Sequence, residues 1–157
     1  MTGKLKKLLL ALGSEIIMDE AISIMLAKDL KQLFPEFELR IMPLGGTELI
    51  ELIAGFDLVV IIDTMMADGG KQGEMVLITD FESAFTLHLH NPHDISFQDT
   101  LKLAGKLGYR IPDKIILIGI RIKQSYVASG VPSQEILEEY NRLLDYAGEV
   151  IRQQSDF

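Results

Sequence analysis

The sequence contains no cysteine. That excludes a disulfide framework, a thiolate metal site and a cysteine nucleophile, so any metal must be held by His, Asp, Glu or backbone oxygen. Long apolar runs are also missing: nothing approaches the roughly 20 residues needed to span a bilayer. Lys4, Lys6 and Lys7 ahead of Leu8–Leu12 look superficially like a secretory signal. The apolar run is too short for one, and Glu15, Asp19 and Glu20 follow at once. A soluble, cytoplasmic protein without a membrane partner is expected. Several motifs are absent as well. There is no Gly-x-Gly-x-x-Gly after the first strand, no Walker A sequence, no Gly-x-Ser-x-Gly elbow and no His-Glu-x-x-His. Dinucleotide binding, an α/β-hydrolase triad and a conventional zinc peptidase are therefore unsupported.

What is present is an ordinary globular composition, 48% hydrophobic and 24% charged over 157 residues. That length fits one domain, residues 1–157, with a real core. No repeat, low-complexity tract or long linker divides it. The net charge is -8 and the sequence pI is about 4.8. An acidic surface repels phosphate backbones, so nucleic acid is not an expected partner.

Strand and helix patterns alternate. Lys7–Leu12 reads as a buried strand. Glu20–Phe34 reads as a helix with Ile22, Met25, Leu26, Leu30 and Leu33 along one stripe, Asp19 as its N-cap and Pro35 as its stop. Glu38–Met42 follows as a strand and Thr47–Ala54 as a short helix after a Gly45-Gly46 turn. Leu58–Ile62, five apolar residues ending at Asp63, has the pattern of a central strand covered on both faces. Met75–Ile78 and Lys114–Ile122 read as further strands, and Phe85–His90 as an edge strand. Ser96–Leu107, capped by Ser96, and Ser133–Arg152 read as helices. This order predicts an α/β protein: a three-layer α/β/α sandwich with a mostly parallel sheet, Rossmann-like or flavodoxin-like. Ligands of such sheets sit beyond the carboxyl ends of the strands.

Three ionisable residues fall where that rule points. Glu20 lies between the first strand and its helix, Asp63 ends the third strand, and His93 sits in the loop Asn91-Pro92-His93-Asp94. Two carboxylates and an imidazole suit zinc, nickel or manganese and leave coordination positions open. Each also has a plainer reading. Glu20 would favour a helix dipole, Asp63 would cap a turn, and His93 would be an ordinary loop histidine. His88 and His90 would share the solvated face of the edge strand or form a His-x-His pair. Gly45-Gly46-Thr47 would approach a ligand or make a tight turn. The loop Ala67–Gly73 would be a lid or a connection, and Met65 and Met66 an adaptable contact surface or core.

The segment Leu12-Gly13-Ser14-Glu15-Ile16-Ile17-Met18-Asp19-Glu20-Ala21-Ile22 resembles the opening motif of hydrogenase maturation proteases. Gly45-Gly46-Thr47, Val59–Asp63, Pro92-His93 and Leu117–Ile120 are similar to that family's later motifs, in the same order along nearly the whole chain. The chain departs from the pattern at Ala11, Ser14, Ser23 and Leu44, where the family usually has glycine, asparagine, glycine and aspartate. The turn containing Leu44 helps recognise substrate in relatives, so the resemblance implies a divergent member.

The resemblance implies a metal-dependent endopeptidase of the aspartic type. It would remove the C-terminal extension of a nickel–iron hydrogenase large-subunit precursor after nickel insertion. Glu20, Asp63 and His93 match the family's metal-binding positions and are the implied catalytic residues. The nickel would arrive on the precursor, with zinc or cadmium able to substitute, and would either polarise the scissile carbonyl or activate water. A monomer or weak oligomer is expected. One competing reading is a non-proteolytic, chaperone-like homologue that recognises a metalloprotein precursor; another is a flavodoxin-like nucleotide-binding domain.

Overall fold

The computed structural model describes residues 3–43, 48–67, 70–78, 96–123, 129 and 131–155. Its strands are β1 (Lys7–Leu12), β2 (Phe37–Met42), β3 (Leu58–Met66), β4 (Met75–Ile78) and β5 (Lys114–Ile122). Its helices are α1 (Ala21–Leu33), α2 (Glu48–Ile53), α3 (Phe97–Lys106), α4 (Gln134–Glu138) and α5 (Tyr140–Gln154). None of these helices is long and apolar enough to cross a membrane.

The strands form one sheet in the order β2-β1-β3-β5-β4. The first four are mutually parallel, and β4 runs antiparallel on β5. Leu8–Leu12 and Leu58–Ile62 are all 0% exposed, so the two apolar runs fill the middle of the sheet as their composition requires. Alternation then divides the core. Leu9, Ala11, Val60 and Ile62 face α1 and α5, while Leu8, Leu10, Val59 and Ile61 face α2 and α3. The result is the expected three-layer α/β sandwich.

Several boundaries differ from expectation for identifiable reasons. In α1, Leu30 is buried as expected, but Leu33 is 52% exposed and Ala27 belongs to the buried stripe. The helix ends where Lys31 Nζ donates to the carbonyls of Pro35 and Phe37. The expected helix over 133–152 is two helices, broken at Glu139 with φ -90° and ψ -4°. The segment before β4 meets the break. A Cβ on Gly73 would lie 3.2 Å from Glu139 Cγ, and Arg142 donates to both the Glu139 carboxylate and the Gly73 carbonyl. The bend also starts α5 at Tyr140, whose hydroxyl donates to Asp29 on α1. Burial, reinforced by that bond, raises the Tyr140 pKa above its ordinary value. The expected strand over 85–90, with His88 and His90, lies outside the described residues.

The amino ends of the strands are fastened by Asp57. Its carboxylate accepts from the Lys6 backbone N–H at 2.7 Å and from the Arg110 guanidinium, which also donates to the Gly55 carbonyl. The Arg110 hydrogen bond, then the Lys6 amide, holds the Asp57 pKa below its ordinary 3.8. A carboxylate depressed on folding stabilises above its unfolded pKa, and that contribution disappears as pH falls through the folded value. Asp57→Asn is therefore expected to lower the urea midpoint at neutral pH. The gap to wild type should narrow below pH 3.8 and close once Asp57 is protonated in both states.

Candidate active site at the carboxyl ends of β1 and β3

β1 leads to α1 and then to β2 on one side, whereas β3 leads toward β5 on the other. The chain therefore changes direction between β1 and β3, and their carboxyl ends flank the crevice where open α/β sheets bind ligands. Glu20 and Asp63 both belong to this edge.

Asp63 does not end β3, as the sequence suggests, but lies inside it. The β1–β3 ladder stops at Ala11↔Ile62, whereas the β3–β5 ladder continues to Met66↔Ile122. Asp63 is therefore the first β3 residue beyond the reach of β1. It is 0% exposed, and its Oδ1 accepts from the Thr64 backbone N–H at 2.8 Å. Across the ladder it faces Gly119. A Cβ on Gly119 would lie 2.7 Å from Met65 Sδ, so the missing side chain leaves room for Met65 on the face that carries Asp63. Met65 and Met66 are half-buried, between core and contact surface.

Glu20 occupies the N-cap position of α1 in a helical conformation, makes no side-chain capping bond and is half-buried. The sequence suggests Asp19 for that cap, but the Asp19 carboxylate points elsewhere. It accepts from Ser133 N–H at 2.7 Å and from Gln72 Nε2 at 3.1 Å. Ser23 holds the helix start instead, its buried hydroxyl donating to the Leu12 carbonyl at 2.6 Å. Gly13 makes the close approach possible. It has φ +151°, and a Cβ there would lie 2.7 Å from the Glu20 carbonyl oxygen and 2.8 Å from Ser23 Oγ. The Glu20 backbone thus sits against the residue after β1, one strand away from Asp63. Ser14, at the family's asparagine position, accepts from Ile16 N–H at 3.3 Å and so braces the same loop.

The third expected ligand, His93, lies outside the described residues, as do Leu44, Gly45-Gly46-Thr47 and Asp68-Gly69. Among the described residues, no three His, Asp or Glu side chains form a metal-holding group. The Glu20 backbone and Asp63 lie at the same edge of the sheet, one strand apart. A groove of about 370 Å³ lined by Glu15, Ala21, Ile24, Met25, Lys28 and Pro132 lies beside the start of α1. Another, of about 520 Å³ and lined in part by Lys4, Lys6, Lys7 and Arg40, lies at the opposite edge, remote from these carboxylates.

Sequence reasoning missed Asp19 as a link between loops. Its partners are 53 and 114 residues away, so no local spacing reveals it.

The fold is shared with solved structures. The hydrogenase maturating endopeptidase HybD from E. coli superposes with a TM-score of 0.72 at 22% identity, covering 95% of this chain and 93% of that one. The NiFe hydrogenase maturation protease HycI from Thermococcus kodakarensis gives 0.62 at 25% identity, covering 96% and 95%. HybD from Thermococcus kodakarensis gives 0.63 at 23% identity, covering 93% and 99%. Comparison with curated proteins yields no match. The family model for HycI, hydrogenase maturation protease, matches residues 24–149, a span that contains Asp63 and His93 and begins four residues after Glu20. With most of its length matched by that model, and with its fold and its ordered motifs in agreement, the chain belongs to the hydrogenase maturation protease family.

Proposed function

We propose that this chain removes the C-terminal extension of a nickel–iron hydrogenase large-subunit precursor after nickel has been inserted. Glu20, Asp63 and His93 would meet the nickel that the precursor carries. The observation that carries this reading is Asp63: a fully buried carboxylate, just past the last rung shared with β1, in a member of a maturation-protease family. Two carboxylates and an imidazole are also a donor set that a divalent nickel ion accepts.

In this reading Asp63 supplies a fixed anionic ligand from a rigid strand. Glu20, half-buried at a helix start, supplies a second from a braced loop. The metal would contribute either polarisation of the scissile carbonyl or activation of the attacking water. Water adds to the carbonyl carbon, the C–N bond breaks, and the amine of the departing peptide takes up a proton. The residues of this chain hold the precursor so that the scissile bond lies beside the bound nickel, which is how positioning lowers such a barrier. The protein would act in the cytoplasm.

The test is incubation with purified precursor in nickel-loaded and nickel-free forms, followed by mass spectrometry. Release of a short C-terminal peptide from the loaded form alone is the expected result. Stable capture of the loaded precursor without cleavage would instead identify a non-proteolytic homologue.

A further inference from the structure

We propose that Asp19 is a positioning residue for Glu20: its buried carboxylate joins three loops at the carboxyl edge of the sheet and fixes the backbone from which Glu20 projects. The inference rests on the metal-directed reading of Glu20 given above.

Asp19 is 4% exposed and Gln72 is 7% exposed, so the link is an interior one. Asp19 belongs to the β1–α1 loop, Gln72 to the segment before β4, and Ser133 to the segment before α4. One carboxylate therefore holds together parts of the chain that share no strand or helix. An acid at the head of a helix ordinarily accepts from the helix's own first amides. Here the carboxylate accepts from Gln72 and Ser133, both distant in the chain, and the N-cap residue of α1 makes no side-chain cap bond.

Fold stability alone is a weak reason for this choice. Desolvation of a buried carboxylate offsets much of what its hydrogen bonds return, and apolar packing often serves as well. What the carboxylate adds is a single geometry for three loops. Glu20 is the next residue, and its backbone is held on the other side by the close contact with Gly13 and by Ser23. Glu20 is thus braced from β1 on one side and from Asp19 on the other. Residues that hold a metal ligand in place typically govern metal affinity without touching the ion.

The arrangement provides a discriminating pair of variants. Gln72 Oε1 is buried and has no hydrogen-bond partner among the described residues. In Asp19→Asn, the new Nδ2 can donate to that oxygen once the Gln72 amide turns over, while Oδ1 still accepts from Ser133. Both links survive without the charge. Asp19→Ala removes both, and Gln72→Leu removes one.

Cadmium alone serves as the probe, with calorimetry for affinity, urea unfolding for global stability and amide hydrogen exchange for the loops. Asp19→Ala is expected to raise the cadmium Kd about tenfold or more, with Asp19→Asn within about threefold of wild type, as for other supports of metal ligands. Exchange should accelerate in Asp19→Ala at Ile17–Glu20 and at Ser133 together. In Gln72→Leu, which keeps a readout if Asp19→Ala fails to fold, it should accelerate at Ile17–Glu20 with Ser133 still protected. An Asp19→Ala protein with a lower urea midpoint but unchanged cadmium affinity would overturn the proposal, as would an Asp19→Asn protein as impaired as Asp19→Ala. Glu20→Ala separates the two ideas. Cadmium binding that is absent in wild type, or indifferent to Glu20→Ala, removes the metal reading. Asp19 as a positioning residue is then decided by exchange, and independent behaviour of the two loops rejects it.

Discussion

Asp63→Ala is expected to stop processing of a nickel-loaded precursor, slowing peptide release by about a thousandfold or more. That figure corresponds to the loss of several kcal/mol of transition-state stabilisation when a metal-directed centre is dismantled. Asp63 has this leverage because of where it sits. It is wholly buried on a central strand, past the last rung shared with β1, and the strand continues for three residues on the β5 side. Its position is fixed by two flanking segments of sheet and not by a flexible loop. The backbone ladders on both sides of β3 do not depend on this side chain, so the substitution should leave the sheet intact. Timed cleavage assays with circular dichroism as the folding control measure this. Cleavage by Asp63→Ala at the wild-type rate would exclude the proposed role of the residue.

The second large effect is on stability. Gly13→Ala is expected to destabilise the protein by about 2–4 kcal/mol, combining a disfavoured backbone conformation with a contact that has no room to relax. The added methyl would stand 2.7 Å from the carbonyl oxygen of Glu20, a backbone atom, and 2.8 Å from Ser23 Oγ. Moving the carbonyl means moving the start of α1. Moving Ser23 breaks its bond to Leu12. For a domain of this length the loss translates into a fall in Tm of roughly 4–16 °C, measurable by calorimetry. Gly55, with φ +86°, offers a contrast: nothing among the described residues lies within 4 Å of a Cβ there, so alanine meets chiefly the backbone penalty. A Gly13→Ala protein as stable as Gly55→Ala would show that the contact at Gly13 is softer than its distances indicate.

How legible these features are in the sequence depends on how local their causes are. β1, β4 and β5 are bounded correctly because each is an apolar run between polar neighbours, fully covered in β1 and half-covered in β4. The Ser96 cap is equally plain: its hydroxyl accepts from Asp99 N–H three residues on, which a short motif records. The full extent of β3 is not visible, because a carboxylate at 63 looks like the end of a strand. Only the register with β5 shows that the strand continues. The break at Glu139 and the exposure of Leu33 depend on what packs against those helices, which periodicity does not contain. Likewise, the antiparallel direction of β4 follows from its pairing with β5, and its four residues carry no sign of it. The sheet edge to which Glu20 and Asp63 belong is readable from the strand–helix order, because open sheets change direction there. The neighbouring acid Asp19 was misread as a cap because its partners are remote in the chain.

The fastening at Asp57 immediately precedes β3, and the carboxylate at Asp63 lies further along that strand, about 20 Å away at ordinary strand rise. Sites so far apart contribute independently to free energy. The molecule therefore has one end where stability can be retuned and another where chemistry is at stake. Changes at the Asp57–Arg110 end can accumulate, by drift or by design, while the other end is left as it was.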